Sequence, residues 1–263
     1  MKDKNYDVNK FDSFFLRFIG TPQSGYIRIK EKGISKADFL YKITQAKAKV
    51  VNVTLIPGET TYIFLEQLAK KLNLDVKKLR EEFKLQSPIQ EGAFVPDTYN
   101  VFKNISEKRI IKSLLIRSSN RMKQISLKIF NSYDEKKWFK YVATASVIQK
   151  ESANNKEMPI VSSVIYNRLK KGMKLQMDGT LNYGKYSHVK VTSKRIRTDK
   201  SGFNTYKIKG VPKIPVCNVS INAIKAAIYP AKTNYLYFMK NKQGVHDFSR
   251  NYSTHLRYIN ATK

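Results

Sequence analysis

The sequence is short of several features, and each shortage excludes a class of protein. It has one cysteine, Cys217, so no disulfide can form within the chain, and the redox compartment stays open. No apolar run approaches the ~20 residues that cross a bilayer. The best candidate, residues 14–19, is interrupted by Arg17, and no apolar segment of a signal peptide follows the polar residues 1–4. The sequence alone therefore predicts a soluble chain.

Motifs for metals and cofactors are also scarce. The three histidines, His188, His246 and His255, lack helical or zinc-finger spacing. Neither a glycine-rich phosphate loop nor a Gly-x-Ser-x-Gly nucleophile elbow is present, although a Ser-His-Asp triad in another setting stays open. We therefore expect neither a metal nor a cofactor.

Acidic residues are few relative to basic ones. Lys and Arg number 50 against 20 Asp and Glu, a formal net charge of +30. Three partners fit that excess: nucleic acid, an anionic membrane surface, or an acidic polymer such as peptide-bearing cell-wall glycan. The lysines lie in short bunches that are typical of solvated helix faces. With 16 tyrosines and 14 phenylalanines, a non-catalytic, basic nucleic-acid-binding protein is the main alternative to an enzyme.

Hydrophobic periodicity predicts an α+β fold with helices dominating the middle of the chain. Ser35, Ser106, Asp134 and Ser220 precede periodic segments and predict helix starts, and Pro159 suits the first turn of a further helix. Two more helical stripes cover residues 63–72 and 79–83. The predicted strands are residues 26–30, 50–56, 235–239 and 245–248, the last two forming a hairpin. Residues 90–99 are predicted as an ordered loop, and residues 180–215 as a loop-rich segment.

Glu151 is the strongest candidate for a catalytic residue in the sequence. It ends an apolar helical stretch and shares a helix face with Val147, Ile148 and Thr144. A carboxyl group held against apolar side chains has its charged form disfavoured, so its pKa rises and it can keep a proton near neutral pH. A general acid needs that property. From position alone, a surface glutamate near a helix end is the alternative.

The other acidic candidates have ordinary structural interpretations. Glu157 stands where a negative charge complements a helix N-terminus. Asp178 is predicted to hydrogen-bond within its own turn, and Glu91 to brace the loop before Phe94.

Several motifs occur in a fixed order along the chain. They are Ile56-Pro57-Gly58-Glu59, Glu91-Gly92 with Pro96-Asp97-Thr98-Tyr99, Ala145-Ser146-Val147-Ile148-Gln149-Lys150-Glu151, Asn167-Arg168-Leu169, Gln176-Met177-Asp178-Gly179-Thr180, Phe203-Asn204-Thr205-Tyr206, and Gly244-Val245-His246-Asp247-Phe248. In this order, over residues 25–255, the chain resembles the YceG-like (MltG-type) endolytic murein transglycosylases. The resemblance puts the family's catalytic glutamate at Glu151. Gln149 replaces another acid of that motif, and Gly179 stands where the family usually has proline.

The resemblance implies a YceG-like catalytic domain over residues 51–263, preceded by a partial LysM-like small domain over residues 1–50. It implies cleavage of the β-1,4 bond between N-acetylmuramic acid and N-acetylglucosamine inside glycan strands. Glu151 would first protonate the leaving oxygen and then accept the C6 hydroxyl proton, giving a 1,6-anhydro end without hydrolysis. A non-catalytic glycan-binding relative stays open as an alternative.

Side chains that suit an acetamido sugar follow from the same motifs. The predicted substrate-binding residues are Asn167, Gln176, Asp178, Thr180, Asn204, Tyr206, His246 and Phe248, whereas Arg168 is predicted to be structural. The expected partners are peptidoglycan strands and wall-synthesis proteins rather than nucleic acid. The resemblance also implies a role in cell-wall assembly, terminating glycan elongation. The expected location is the outer, periplasmic face of the bacterial cytoplasmic membrane, through an N-terminal anchor absent from this chain.

Overall fold

A computed structural model describes residues 9–20, 29, 33–45 and 49–262. The predicted strand at 26–30 lies outside them apart from Ile29. In chain order the elements are α1 (Lys10–Ile19), α2 (Lys36–Gln45), β1 (Val50–Thr54), α3 (Thr61–Leu72), α4 (Val76–Gln86), β2 (Thr98–Phe102), α5 (Glu107–Phe130), α6 (Glu135–Glu151), α7 (Met158–Lys170), α8 (Ser193–Thr198), α9 (Ile221–Ile228), β3 (Tyr237–Lys240), β4 (His246–Ser249) and α10 (Tyr252–Thr262). The predicted α+β class is confirmed.

The strands of the described residues form two small antiparallel sheets. In the first, β1 pairs with β2, and Val53 lies opposite Tyr99. The end of the predicted ordered loop is therefore wrong, because Thr98 and Tyr99 already belong to a strand. Its partner lies more than 40 residues away, so local sequence could not indicate the pairing. In the second sheet β3 pairs with β4, which confirms the predicted hairpin.

The buried side chains of the described residues form three clusters. A small one joins α1 and α2 around Phe39, Leu40 and Ile43. A second fills the space between β1, β2, α3, α4 and the first half of α5, and a third lies among α6, α7 and α9. α5 contributes to both larger clusters, with Leu114 in the second and Met122 in the third. The domain boundary at residue 50 and the LysM-like character of residues 1–50 stay predictions.

Helix α6 runs through the third cluster and sets the position of Glu151. Asp134 caps it as predicted, its side chain accepting a hydrogen bond from the Lys137 backbone N–H at 3.0 Å. Residues 145–148 have no exposed surface. α9 packs alongside α6 and turns small side chains inward, Ala223, Ala226 and Ala227, all at most 2% exposed. Small residues let two helix backbones approach closely, and α6 is thereby held along its length.

Two buried glutamates hold the start of α3. The Glu91 carboxylate accepts hydrogen bonds from the Thr61 backbone N–H and hydroxyl and from the Gly92 N–H. Glu59 accepts from the Thr60 N–H at 2.8 Å. The bond to the Gly92 N–H agrees with the predicted role of Glu91 in bracing the loop before Phe94. Asn218 adds to it, because its Oδ1 accepts a hydrogen bond from the Phe94 N–H.

Candidate active site

Glu151 is the last residue of α6 and is partly buried. Val147 and Ile148 beneath it are fully buried, as the helical pattern predicted. Its Oε1 accepts a hydrogen bond from the Gly179 N–H at 2.7 Å, so only Oε2 lacks this contact. A helix C-terminus carries a partial negative charge, which further disfavours a carboxylate there.

The surroundings of Glu151 move its pKa into the range useful at neutral pH. Burial raises the pKa of Glu151 to about 7. The Gly179 N–H and the charge of Arg168 oppose the rise, whereas the charge of Asp178 adds to it. The group is thus protonated below about pH 7 and ionised above it.

Gly179 fits tightly against the end of α6. A Cβ atom at this position would lie 2.8 Å from Glu151 Oε1, 2.8 Å from Lys150 Cβ and 3.0 Å from the Lys150 carbonyl oxygen. The absence of a side chain therefore lets the 178–181 turn approach Glu151 closely enough for the N–H to donate. Proline here would have no N–H to give.

Glu151 opens into a cleft of about 460 Å³, within the usual size range for ligand sites. The cleft is lined by Glu151, Arg168, Gln176, Met177, Asp178, Tyr206, Tyr237, Phe238, Met239, Lys240, His246, Tyr252, His255 and Ile259. One wall is the β3–β4 hairpin, and another is α10, which the sequence analysis did not predict. Tyr252, His255 and Ile259 are spaced at i, i+3 and i+7, and this helical periodicity could have predicted α10.

Four of the eight predicted substrate-binding residues line this cleft. They are Gln176, Asp178, Tyr206 and His246. The Tyr206 hydroxyl donates to Asp178 Oδ1 at 2.7 Å. Burial and this hydrogen bond raise the pKa of Tyr206, so the phenol stays neutral. The two side chains therefore form one polar unit beside Glu151.

The other four lie outside the cleft lining and are engaged elsewhere. The Asn167 amide donates to the carbonyls of Thr233 and Tyr235, and the Asn204 amide to those of Ile196 and Asp199. Buried Thr180 donates to the Met177 carbonyl at 2.7 Å. Phe248 packs its ring against Phe238, Tyr235 and His246. Their contact with substrate stays a prediction, and their observed contacts hold the walls of the cleft.

A glutamate–histidine pair supports the hairpin wall. His246 Nδ1 lies 2.7 Å from Glu157 Oε2, and the His246 backbone N–H donates to Glu157 Oε1 at 2.9 Å. Burial alone would raise the pKa of Glu157, but the hydrogen bonds from His246 and Ala153 outweigh it and lower the pKa. Glu157 thereby holds the His246 ring and backbone where His246 lines the cleft. Sequence reasoning gave Glu157 only a helix-terminal role.

Arg168 was predicted to be structural, and it also borders the cleft. Its Nε donates to the Leu236 carbonyl at 2.6 Å, and Nη1 donates to the Leu175 carbonyl. The guanidinium carbon lies 5.4 Å from the centre of the Tyr237 ring. Arg168 thus fastens the hairpin and the 175–178 segment to α7 while placing a positive charge near Glu151.

Metal and membrane features can be assessed for the described ranges only. Within them, no three His, Cys, Asp or Glu side chains are grouped to hold a metal ion. None of the helices there combines the length and apolar character of a bilayer-spanning segment.

Comparison with known proteins agrees with the order of the motifs. Residues 5–261 match the sequence profile of the YceG-like family. The chain belongs to the YceG-like family. A Bacillus subtilis protein named endolytic murein transglycosylase is 27% identical over 284 residues, covering 96% of this chain and 78% of that protein. A protein of the same name from Streptococcus pneumoniae is 27% identical over 177 residues, covering 64% of this chain and 31% of its own length.

A solved structure supports the fold of this YceG-like chain. The crystal structure of a YceG-like protein from Listeria monocytogenes matches with a TM-score of 0.66 at 24% identity, covering 97% of this chain and 92% of that chain. At this level of identity the likeness concerns the fold.

Proposed function

We propose that this chain is an endolytic lytic transglycosylase of peptidoglycan. It cleaves the β-1,4 bond between N-acetylmuramic acid and N-acetylglucosamine within glycan strands and leaves a 1,6-anhydro end. The observation that carries the proposal is the partly buried Glu151, with its pKa raised to about 7, at the edge of a cleft with polar walls. Membership of the YceG-like family and the names of the relatives support the same reaction.

In the first step Glu151 acts as a general acid. Its Oε1 is engaged by the Gly179 N–H, so the proton is carried on Oε2. Oε2 gives that proton to the glycosidic oxygen as the bond from C1 to this oxygen breaks, and the N-acetylglucosamine side leaves as an alcohol. Positive charge develops at C1, and the carboxylate of Asp178 in the same cleft stabilises it.

In the second step Glu151 acts as a general base. The C6 hydroxyl oxygen of the muramic acid attacks C1, and its proton passes to the Glu151 carboxylate. The new C6–O–C1 bond closes the anhydro ring, and Glu151 regains its starting proton. No water is consumed. One residue serving first as acid and then as base works best with a pKa near the working pH, unlike the two-carboxylate glycosidases.

The cleft residues provide polar contacts for the sugars. Gln176, Tyr206 and His246 offer donors and acceptors for hydroxyl and acetamido groups. Arg168 and Lys240 place positive charge beside the cleft, which suits glycan strands that carry peptide carboxylates. Asn167, Thr180, Asn204 and Phe248 hold the cleft walls through contacts within the chain, and their predicted contact with substrate stays part of this proposal.

We assign this activity to wall assembly outside the cytoplasm. Cutting inside a nascent strand with an anhydro product ends that strand, because the anhydro terminus has no free C1 hydroxyl. The enzyme would thus terminate glycan elongation at the outer face of the cytoplasmic membrane, next to the proteins that synthesise the strand.

The test is digestion of purified sacculi followed by mass spectrometry of the products. The chain should release fragments with anhydro-muramic ends, and Glu151→Gln should lower the rate by roughly a thousandfold, because general acid–base catalysis contributes about 10²–10⁴. Glu81→Gln, an exposed glutamate on α4, is the matched control and should retain full activity. Undiminished anhydro product from a folded Glu151→Gln variant would refute the proposal. Steep salt-dependent DNA binding without murein cleavage would favour the nucleic-acid-binding alternative.

A further inference from the structure

Helix α1 presents a row of aromatic side chains to solvent. Phe11, Phe14, Phe15 and Phe18 are 73%, 56%, 54% and 76% exposed. Their i, i+3, i+4, i+7 spacing puts them on one face of the helix. Large apolar side chains exposed together, rather than singly, mark an interaction surface.

A different face of α1 makes its contacts within the chain. Asp12 is buried and forms a salt bridge with Lys36 at the start of α2, 2.8 Å long. Leu16 packs against the Phe39, Leu40 and Ile43 cluster of α2. At the other end Gly20 lies beside Thr44. The two helices therefore run side by side in the same direction, and α2 leaves the aromatic face uncovered.

The start of α1 is firmly fixed for a short helix. Asn9 accepts a hydrogen bond from the Asp12 N–H at 3.1 Å, and Asp12 accepts from the Asn9 N–H at 2.7 Å. This reciprocal capping box satisfies two backbone donors. The four aromatic rings are thus displayed from an ordered helix, and Phe14 and Phe18 contact each other edge to face at 5.1 Å.

A third face of α1 is basic and borders the aromatic one. Lys10 and Arg17 are exposed and lie seven residues apart, two helical turns, on one side of the helix. The whole chain carries a net charge of +30. A helix with an aromatic face, a basic face and a separate packing face matches the pattern of helices that lie in a lipid–water interface.

We propose that α1 docks this chain onto an anionic phospholipid bilayer, lying flat in the interface with its aromatic face in the lipid. Ten residues of helix are about 15 Å long, half of the ~30 Å hydrocarbon core, so α1 lies along the bilayer. The charge decides between bilayer and protein partners, since Lys10, Arg17 and the overall excess of lysine meet anionic headgroups favourably. This proposal does not depend on the proposed enzymatic activity.

The test is flotation of the full chain with phosphatidylcholine vesicles that contain or lack phosphatidylglycerol. The chain should bind the anionic vesicles, and Phe14→Ser/Phe18→Ser should weaken binding by at least about tenfold, given the apolar surface removed. Leu85→Ser/Tyr229→Ser, which removes side chains that are 81% and 61% exposed elsewhere, is the control and should leave binding unchanged. Lys10→Glu/Arg17→Glu should weaken binding to anionic vesicles only.

A fluorescent reporter separates insertion from surface adsorption. The only tryptophan of the chain, Trp138, is 1% exposed, so Phe14→Trp adds a signal that responds to lipid. Its emission should move to shorter wavelength with anionic vesicles and be quenched by lipids brominated in their acyl chains, whereas Leu85→Trp should do neither.

Equal vesicle binding by Phe14→Ser/Phe18→Ser and the unaltered chain would overturn the proposal. A second outcome would also overturn it: light scattering shows a dimer of the unaltered chain, the Phe14→Ser/Phe18→Ser variant is a monomer, and neither binds vesicles. A second copy of the chain, rather than lipid, would then cover the aromatic face. Both serine variants should cleave sacculi normally, so the two proposals fail separately.

Discussion

At the scale of single residues, Glu151 rests on buried side chains of its own helix and accepts a hydrogen bond from a distant segment. Val147 and Ile148 precede Glu151 at helical spacing, so burial of its base was predictable. The contact with Gly179 joins residues 28 positions apart in an irregular turn, and no periodic pattern encodes it. For a similar reason, only some of the polar residues in the motifs line the cleft. Asn167 and Asn204 were chosen for their amides, but those amides satisfy backbone carbonyls of irregular segments, a need visible only in the fold.

The pH dependence of cleavage follows from the protonation state of Glu151. The free enzyme must begin with this carboxyl protonated, and burial raises its pKa to about 7. The kcat/KM for strand cleavage should therefore fall about tenfold per pH unit above about 7, as the acid form is lost. An ordinary glutamate would produce the same fall from about 4.5. Rates on soluble glycan strands across pH 4–9, with a fold check at each pH, measure the position of this limb. A limb near 4.5 would contradict the assigned environment.

Gly179 is expected to be a positioning residue for Glu151. In Gly179→Ala the added Cβ atom would meet Glu151 Oε1 and Lys150, so the carboxyl must shift and the N–H contact weakens. We expect kcat to drop about a hundredfold, the size of effect that a misplacement near 1 Å produces. Loss of the N–H donor should also move the limb of the pH profile to higher pH.

Gly202→Ala is the matched control, because a Cβ atom there meets nothing within 4 Å. It should leave both the rate and the pH profile unchanged. A Gly179→Ala enzyme with a normal rate and an unmoved limb would show that the contact has no part in positioning Glu151.

At the scale of elements, helices with clear caps were predicted well and pairings between distant segments were not. Asp134 and Ser220 accept the expected backbone hydrogen bonds at the starts of α6 and α9. Ser106 precedes α5 but makes no side-chain capping bond. β2 was missed because it exists only by pairing with β1. Neither α1 nor α10 was predicted, and both are rich in aromatic residues at positions that the fold leaves partly exposed.

The start of α3 should depend strongly on Glu91. Its carboxylate accepts from the Thr61 N–H, the Thr61 hydroxyl and the Gly92 N–H, and it is 7% exposed. In Glu91→Ala these buried donors would lack an acceptor, so we expect the free energy of unfolding to fall by about 2–3 kcal/mol. Urea denaturation of both proteins measures the difference. Glu81→Ala, at an exposed position of α4, should change it by less than about 0.5 kcal/mol, and an equal effect of the two substitutions would exclude this role for Glu91.

At the scale of the whole molecule, the fold brings three distant parts of the chain around one carboxyl group. Glu151 ends α6, residues 176–179 follow α7, and the hairpin and α10 come from the C-terminal part. Composition could not indicate this convergence. The motifs, taken in their order along the chain, did indicate it, because residues from several of them lie together in the folded protein. The net charge of +30 would favour binding of an acidic glycan at the cleft and attraction of α1 to anionic lipid.

Strand cleavage by Glu151, as proposed above, consumes no water. Digestion of sacculi in water enriched in ¹⁸O tests it most directly, because each newly formed end is weighed by mass spectrometry. We predict anhydro-muramic ends that carry no ¹⁸O. Newly formed reducing ends labelled with ¹⁸O would contradict it, since they would identify a hydrolase in which water, rather than the C6 hydroxyl, attacks C1.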